Sequence, residues 1–272
     1  MPALTLNDND LVDSLLHPLA EPLQQLLSKP GRLEYGMILI DDEENILAAQ
    51  AAGVKLSAVF YSDDAELPET LSQALPPSSA RIRLAKRTGK KLFGNERVSR
   101  LFALAATPAA TPLAALAELP QDIVVLEDVS LMGNIGAMMR TSLALGLGGM
   151  VLLGVDAADI FDRRLIRASR GGVFALPIVC ASERDTLSFL AQHGLELIVT
   201  SPHSETPIDD LAALPQRLAL AFGHEKTGCS ASLTAAAQRQ VKIPIKSGID
   251  SLNISVAAGI TLYSRHVFNK VT

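Results

Sequence analysis

Apolar residues in the first third of the chain follow strand and helix spacings in turn. We predict a buried strand in GMILID (36–41), a helix in DEENILAAQAAG (42–53) and a second strand in LSAVFYSD (56–63). A short helix is expected in LPETLSQALPP (67–77) and a further strand in ARIRLA (80–85). The pattern therefore predicts a small α/β domain in this part of the chain.

The second half of the chain alternates short apolar runs with helical patterns more regularly. Such runs are typical of parallel strands that are buried on both faces. We therefore expect a mostly parallel sheet with helices on both faces. Strands are predicted in DIVVLEDV (122–129), GMVLLG (149–154), ALPIV (175–179), LELIVTS (195–201), RLALAFG (217–223) and QVKIPI (240–245), and helices after the loop at 131–137, in DRRLIRASRG (162–171) and in TLSFLAQHG (186–194).

An Ala/Pro-rich segment with little charge, AATPAATPLAALAELPQD (105–122), lies between the two halves. We predict an amino-terminal domain at 1–107, a junction at 108–120 and a carboxyl-terminal domain at 121–272. With 272 residues, of which 48% are hydrophobic, the chain is long enough to bury two cores.

Composition indicates an intracellular protein. The two cysteines, Cys180 and Cys229, are too few for a disulfide framework and lack metal-ligand spacing, so we expect a reducing cytoplasm and no metal. Acidic residues occupy the amino-terminal positions where a signal peptide carries positive charge, and no apolar run of about 18 residues is present. We therefore expect a cytoplasmic protein that does not enter a membrane.

The net charge of −5 conceals a basic stretch at residues 81–100. This stretch carries +7, which leaves −12 for the rest of the chain. Such segregation is expected of a surface that binds nucleic-acid phosphates, although an ordinary solvated face shows the same pattern. The predicted RNA-binding cations are Arg81, Arg83, Lys86, Arg87, Lys90, Lys91, Arg97 and Arg100.

Three loops are predicted at the carboxyl ends of strands, where parallel sheets bind ligands: residues 131–137, 223–229 and 246–253. None has a glycine-rich phosphate-binding or dinucleotide-binding motif, and no G-x-S-x-G nucleophile elbow is present. The only histidine in these loops is His224, and a lone histidine is more often structural. The remaining polar candidates include no obvious nucleophile; they are Asn134, Arg140, Glu225, Ser251 and Asn253.

Three segments resemble, in order and separation, the signature motifs of the SPOUT class (TrmH/SpoU-like) of RNA methyltransferases, in the branch that methylates ribose 2′-hydroxyls. They are GNIGAMMRTSLALG (133–146), LALAFGHEKTG (218–228) and IPIKSGIDSLNISVAAGITLY (243–263). Within the class, DRRLIRASRGGVFALP (162–177), AAGV (51–54) and LFGNERVSRLFALAATP (92–108) resemble the thiostrepton- and nosiheptide-resistance methyltransferases. Lys226 and Cys229, in the second loop, depart from the broader pattern of the class.

The resemblance implies an architecture and partners. It implies an amino-terminal α/β domain that is similar to a small ribosomal protein and binds RNA, and a carboxyl-terminal α/β domain with a deep trefoil knot. The knot follows from the resemblance alone, because threaded chains are rare exceptions to ordinary topology. The resemblance also implies a homodimer, for which the apolar last helix (254–268) is suited, although the same helix would serve as intramolecular core.

S-adenosylmethionine is the cofactor that the resemblance implies. Thr200, Gly223, Ile243 and Leu252 would contribute main-chain and apolar contacts to it. Arg170 would lie near the cofactor carboxylate or an RNA phosphate, because a guanidinium suits either anion. The alternative for Arg170 is a surface helix position beside other arginines.

Arg140 is the residue that the family uses on the ribose hydroxyl. A guanidinium with a pKa above about 12 is a poor general base, so we favour a role in orienting the hydroxyl and stabilising the developing alkoxide. A transiently neutral arginine acting as the base remains open. We expect a rigid, water-poor setting for Arg140, with Asn134 fixing the loop and Glu225 holding Arg140 or Asn134. Ser251 and Asn253 would shape the site or cap the last helix.

The predicted function is S-adenosylmethionine-dependent methylation of a ribose 2′-hydroxyl in RNA, with large-subunit ribosomal RNA as the expected substrate. The biological role would be resistance to thiopeptide-type antibiotics or housekeeping modification. Two alternatives stay open: a transfer-RNA 2′-O-methyltransferase, and a non-catalytic RNA-binding or ribosome-assembly protein that retains the fold.

Overall fold

The structure, a computed structural model, describes residues 2, 4–94, 96–246, 248 and 251–269, without the side chains of residues 210, 212 and 267–269. It divides into two compact units. The first comprises Met1–Ala109 and Ala158–Ala175, and the second comprises Ala110–Ala157 and Leu176–Thr272. Residues 158–175 thus belong to the first unit by their contacts, whereas the boundaries drawn from the sequence keep them with the second half.

The chain alternates strands and helices throughout. Up to residue 106 the elements are β1 (Leu11–Val12), α1 (Ala20–Gln25), α2 (Lys29–Tyr35), β2 (Met37–Asp41), α3 (Glu43–Ala51), β3 (Leu56–Ser62), α4 (Glu69–Ala74), β4 (Ala80–Leu84), α5 (Lys86–Phe93) and β5 (Leu101–Ala106). From residue 123 they are β6 (Ile123–Glu127), α6 (Met132–Ala144), β7 (Gly149–Leu153), α7 (Ala157–Ile160), α8 (Arg163–Ala168), β8 (Ile178–Ala181), α9 (Glu183–Gln192), β9 (Glu196–Thr200), β10 (Leu218–Phe222), α10 (Ala231–Ala236), β11 (Arg239–Val241) and α11 (Ile254–Asn269).

A mixed sheet organises the first unit. Its strand order is β1-β4-β3-β5-β2, in which β5 runs antiparallel to β2 and β3 while the other pairs are parallel. Aromatic side chains fill part of the core: Phe60 stacks on Phe102 with ring centroids 4.9 Å apart, and Phe93 meets Phe102 edge-on at 5.4 Å. These contacts join the sheet to α5, whose other side carries basic residues.

The predicted elements of the first half are confirmed as β2, α3, β3, α4 and β4, within a few residues at each end. Sequence reasoning did not identify β1, β5, α1, α2 or α5. Pro22 and Pro30 lie in the first turns of α1 and α2, where proline is tolerated because those amide hydrogens have no helical partner. Ser28 caps α2 by accepting from the Gly31 amide at 3.3 Å.

The second unit is built on a sheet of strand order β11-β9-β10-β6-β7-β8, in which every adjacent pair is parallel. The predicted parallel sheet and its strands are therefore confirmed. The strand predicted at 175–179 begins later, as β8 at Ile178, and the one predicted at 240–245 is shorter, since β11 ends at Val241 and Lys242 forms only an isolated bridge with Pro207. Pro244 follows, and proline has no amide hydrogen to extend the ladder.

In the described part of the chain, none of the helices combines the length and apolar character that crossing a membrane requires.

Candidate active site

The predicted site residues of the second unit gather at the carboxyl edge of its sheet. Asn134 lies on α6, which follows β6, and Gly223 and Glu225 follow β10. β6 and β10 are adjacent in the sheet although they are far apart in sequence. The strand order reverses between them, and this kind of switch point is where open parallel sheets bind ligands.

A chain of hydrogen bonds joins three of these residues. The Asn134 side-chain nitrogen donates to a Glu225 carboxylate oxygen, and the Asn134 oxygen accepts from the Asn253 side-chain nitrogen at 3.3 Å. The loops after β10 and before α11 are thereby both tied to the first turn of α6. Of the two partners considered for Glu225, the structure has Asn134 rather than Arg140.

Asn253 also caps α11. Its side-chain oxygen accepts from the Ser255 amide at 2.9 Å, the Ser255 hydroxyl at 2.6 Å and the Val256 amide at 3.4 Å. Capping and contact with Asn134 use different atoms of Asn253, so the two predicted roles coexist. Ser251 lies exposed two residues earlier. Positions 247, 249 and 250 of the predicted loop 246–253 lie outside the described residues.

Arg140 is exposed on α6, and it forms no hydrogen bond or ion pair with another described residue. The expected water-poor setting is therefore wrong for the single chain. Its helical neighbours Met138 and Met139 are buried, so the backbone at this position is held by the core while the guanidinium is exposed.

Gly223 is required by the fold of its own loop. A Cβ atom there would lie 2.2 Å from the Cys229 amide nitrogen and 2.3 Å from the Gly228 carbonyl oxygen. The loop closes by reciprocal hydrogen bonds between the main chains of His224 and Gly228, at 3.0 and 2.8 Å. The His224 ring nitrogen Nδ1 accepts from the Lys226 amide at 3.1 Å, which gives this histidine a structural role. The glycine thus permits the turn that presents Glu225.

The residues expected to hold the cofactor lie at the end of β9, after β10 and β11, and before α11. Thr200 ends β9, pairs with Val241 of β11 and donates its hydroxyl to the Ala221 carbonyl of β10 at 3.1 Å. Ile243 and Leu252 are half-buried. These are main-chain, apolar and weakly polar surfaces, a set whose chemistry fits an adenosyl group with few charged contacts.

Arg170 lies in the first unit and is not joined by hydrogen bonds to the residues above. Its backbone is left-handed, with φ of 50°, and its guanidinium lies 3.8 Å from the Glu44 carboxylate. Both side chains are exposed, so the pair contributes little to stability.

Sequence reasoning missed Glu127, the last residue of β6. Its side chain is buried, and its carboxylate accepts from the Ser230 amide at 2.7 Å. Burial, with a smaller contribution from Glu127, raises the pKa of Cys229 to about 12, so this thiol is neutral and a poor nucleophile. The sequence signal for Glu127 is an acidic residue at the end of an apolar strand. Asp128 follows it directly, so the pattern does not show which of the two is buried.

The eight cations of the basic stretch divide into two groups. Lys86 and Arg100 pair with Asp64, at 2.8 and 2.6 Å, and hydrogen bonds from Lys86, Ser62 and Arg100 hold the pKa of that carboxyl well below its usual range. Arg97 pairs with Asp42. The other five form no ion pair with any described residue; they are Arg81, Arg83, Arg87, Lys90 and Lys91.

A cavity of about 530 Å³ lies at the opposite, amino edge of the second unit's sheet. Its arginines are already engaged: Arg265 binds Asp122 at 2.8 Å, and Arg217 donates to the carbonyl of Leu116 at 2.8 Å. Burial lowers the pKa of Arg217. None of the predicted site residues lines this cavity. The described residues also hold no cluster of three or more His, Cys, Asp or Glu side chains suited to a metal ion.

Residues 121–263 match the SpoU rRNA methylase family, and the chain belongs to this family. Residues 9–119 match the amino-terminal region of the thiostrepton-resistance methylases. The family resemblance read from the sequence is thus confirmed.

Individual relatives agree over nearly the whole chain. The sequence is 36% identical over 257 residues to the 23S rRNA (adenosine(1067)-2′-O)-methyltransferase of Streptomyces azureus, covering 93% of this chain and 96% of that protein. It is 38% identical over 240 residues to the enzyme of the same name from Streptomyces laurentii, covering 88% and 89%. The crystal structure of the SpoU methyltransferase AviRb from Streptomyces viridochromogenes in complex with AdoMet matches with a TM-score of 0.80 and 25% identity, covering 94% of this chain and 99% of that one.

Proposed function

We propose that this chain transfers a methyl group from S-adenosylmethionine to a ribose 2′-hydroxyl of large-subunit ribosomal RNA. The observation that carries the proposal is the Glu225–Asn134–Asn253 hydrogen-bond chain at the switch point of the parallel sheet, in a member of the SpoU family. The named activity of the Streptomyces relatives supports an adenosine of 23S rRNA as the target. Because ribosomal RNA is modified there, we propose the cytoplasm as the location.

The main-chain and apolar surfaces at Thr200, Gly223, Ile243 and Leu252 would hold S-adenosylmethionine, and we keep Arg170 as a candidate for its carboxylate or for an RNA phosphate. When bound, this cofactor supplies an electrophilic methyl group on a sulfonium centre. AviRb was crystallised with the same cofactor, which supports the assignment. Family membership also supports a trefoil knot in the second unit and a ribosomal-protein-like first unit.

Arg140 would act on the ribose. Its guanidinium donates hydrogen bonds to the 2′-oxygen and to the adjacent phosphate, and it stabilises negative charge as the hydroxyl loses its proton. The ribose oxygen would bond to the methyl carbon as the carbon–sulfur bond of the cofactor breaks, S-adenosylhomocysteine would leave, and the hydroxyl proton would go to solvent or to a transiently neutral arginine. Asn134, held by Glu225 and Asn253, fixes the start of the helix that carries Arg140. Ser251 lies near the end of the third loop, two residues before Asn253, and would shape the site there.

The exposed setting of Arg140 supports a homodimer in which a second copy covers it. On α11, Val256, Ile260 and Tyr263 are exposed at helical spacing and form one apolar stripe, although Ala258 is buried in the core of its own chain. Such a stripe is costly to leave in water and is typical of an interface.

Light scattering should give twice the chain mass of 28.9 kDa for wild type. Ile260→Asp should halve the measured mass, whereas Leu33→Asp on α2 should leave it unchanged. A monomer at micromolar concentration would contradict the dimer.

The direct test of the site compares Arg140→Ala with Arg184→Ala, an exposed arginine on α9. Loss of an oxyanion-stabilising donor typically costs about 10²–10³ in kcat. We expect that loss for Arg140→Ala with unchanged S-adenosylmethionine affinity by calorimetry, and wild-type rates for Arg184→Ala. Full activity of Arg140→Ala would refute its assigned role.

Resistance is tested separately. Expression of the active chain in a thiostrepton-sensitive bacterium should protect growth, and expression of Arg140→Ala should not. Methylated ribosomes without protection would favour a housekeeping role.

A further inference from the structure

A short loop between β1 and α1 presents two adjacent leucines to solvent. We call residues 13–18 the leucine loop. The side chain of Leu16 is 94% exposed and that of Leu15 is 46% exposed. Single exposed leucines are common on protein surfaces, but two in succession on one loop tip form a small apolar projection.

The leucine loop is anchored at its amino-terminal end and closed by its own hydrogen bonds. The Asp13 carbonyl accepts from the Thr88 hydroxyl at 2.6 Å, and the preceding residue, Val12, is completely buried. Within the loop, the His17 amide donates to the Ser14 carbonyl at 3.3 Å, and the Ala20 amide donates to the His17 carbonyl at 2.9 Å. The leucines are therefore carried on a closed turn.

Anchoring at Thr88 places the leucine loop beside the basic face of α5. Lys91 follows Thr88 by three residues and therefore lies on the same side of the helix. Arg87, Lys90 and Lys91 are exposed and form no ion pair with any described residue. Asp13 lies in the loop itself and Asp10 lies 3.5 Å from its His17, whereas the neighbouring exposed face of α5 is cationic.

This combination favours one kind of partner. A surface that joins free cations to apolar side chains matches RNA in which a base has left its stack, because the phosphates need charge and the base needs an apolar contact. Leucine is among the side chains that proteins insert between or against bases for this purpose. Base-paired RNA offers no such apolar partner on its exterior.

We propose that Leu15 and Leu16 contact an unstacked base in a loop of the target RNA while Arg87, Lys90 and Lys91 bind the neighbouring phosphates. The proposal rests on the proposed function, since it assigns the same RNA to this surface. The leucine loop would thus contribute to choosing a looped site over helical RNA.

The test measures RNA affinity over a series of salt concentrations. Leu15→Ser/Leu16→Ser should weaken binding to a protein-free 23S rRNA loop fragment by about tenfold at every salt concentration and leave the salt dependence unchanged, because the charge of the protein stays the same. Leu33→Ser, at a 60% exposed leucine of the same unit, is the matched control and should bind like wild type. Circular dichroism and the thermal midpoint establish that both variants are folded.

A second readout is specific to base contact. In a series of RNA fragments, 2-aminopurine replaces one base of the RNA loop at a time. Wild-type protein should increase the fluorescence of the 2-aminopurine at one position, because it unstacks that base, and the double variant should not. If the double variant binds the RNA within twofold of wild type, the proposal is overturned. The same result is expected if the leucines bind a protein partner, so that outcome also counts against the proposal. Equal losses in Leu33→Ser would overturn it as well. If wild type binds the RNA but transfers no methyl group, the proposed function is contradicted. The affinities of the double variant and of Leu33→Ser would still decide whether the leucines contact the RNA.

Discussion

Asn134 occupies a position that requires both a donor and an acceptor. Glu225 can only accept, so the amide nitrogen of Asn134 faces it and the oxygen faces Asn253. An aspartate would place two carboxylates in contact, and an alanine would leave both neighbours unpaired. A carboxamide side chain is therefore what joins the two loops to α6.

Substitutions of Asn253 separate helix capping from site geometry. Asn253→Asp keeps the oxygen that accepts from Ser255 and Val256 but loses the donor to Asn134. We expect wild-type stability and a loss of about tenfold or more in methyl transfer, since small displacements of a site are costly. Asn253→Ala should lose the same activity and also about 1 kcal/mol of stability. Wild-type activity of Asn253→Asp would mean that Asn253 serves only as a cap.

Cys229 should be chemically silent despite its place beside the site loop. In a Cys180→Ala background, the remaining thiol should react with a disulfide reagent at pH 8 far more slowly than in the unfolded chain, because burial keeps it protonated. Cys229→Ala should leave methyl transfer unchanged. Rapid labelling in the native state would contradict the partly buried setting of this thiol.

The same thiol predicts a pH dependence of stability. The pKa of Cys229 is about 12 in the folded chain against an ordinary value of 9.0, so the folded state holds its proton more tightly. The stability that this difference contributes is fully present below pH 9 and is lost as the pH rises from 9 towards 12. Urea unfolding should therefore show a steeper alkaline decline for wild type than for Cys229→Ala. Identical declines would contradict the pKa shift.

At the scale of elements, α8 is fixed within the first unit by a buried charge cluster. Arg163 donates two hydrogen bonds to Asp41, at 2.8 and 3.0 Å, and Arg167 binds the same carboxylate. The Arg163 guanidinium also lies 4.5 Å from the centre of the Phe93 ring. Asp41 ends β2 and is almost completely buried, so the two arginines compensate its charge.

Adjacent aspartates provide a matched test of this cluster. Asp41→Asn should destabilise the fold by about 3–5 kcal/mol, because it leaves Arg163 buried without its counter-charge. Asp42→Asn removes only the exposed pair with Arg97 and should cost less than about 1 kcal/mol. Urea-unfolding midpoints of the two variants measure the difference, and equal effects would mean that the buried cluster does not hold the first unit together.

How far the sequence predicts the fold depends on the kind of element. The strands of the second unit are continuous apolar runs. This pattern is typical of parallel strands buried on both faces, so these strands could be predicted from the sequence. The helices α1 and α5 show only a weak helical pattern in the sequence, because α1 has six residues and α5 has apolar residues only at Leu92 and Phe93. The position of residues 158–175 depends on hydrogen bonds between Asp41 and distant arginines, which no local pattern records.

The candidate site was predictable in its membership but not in its connections. Family motifs supplied Asn134, Glu225 and Asn253 and left Arg140 and Asn134 as two possible partners of Glu225, whereas the choice of Asn134 follows from the adjacency of β6 and β10. The exposure of Arg140 was likewise beyond the sequence, because an apolar helix in one chain does not reveal which of its faces is covered.

At the scale of the whole molecule, charge is segregated, with +7 at residues 81–100 in a chain of net charge −5. Lys90→Glu/Lys91→Glu should weaken RNA binding and reduce the slope of log affinity against log salt by about 0.7–0.9 for each phosphate that the variant no longer neutralises. Lys55→Glu, an exposed lysine outside the stretch, is the control and should have a smaller effect. An unchanged slope in the double variant would show that the basic face is only solvated surface.

Methyl transfer to RNA is the central claim, and mapping the product tests it most directly. Purified protein is incubated with labelled S-adenosylmethionine and, in parallel, protein-free 23S rRNA fragments and transfer RNA, and the modified position is located by primer extension at low nucleotide concentration. We predict 2′-O-methylation of a single adenosine in a 23S rRNA loop, with none by Arg140→Ala. Incorporation into neither RNA, together with no binding of S-adenosylmethionine by calorimetry, would contradict the account, and methylation of transfer RNA alone would refute its substrate.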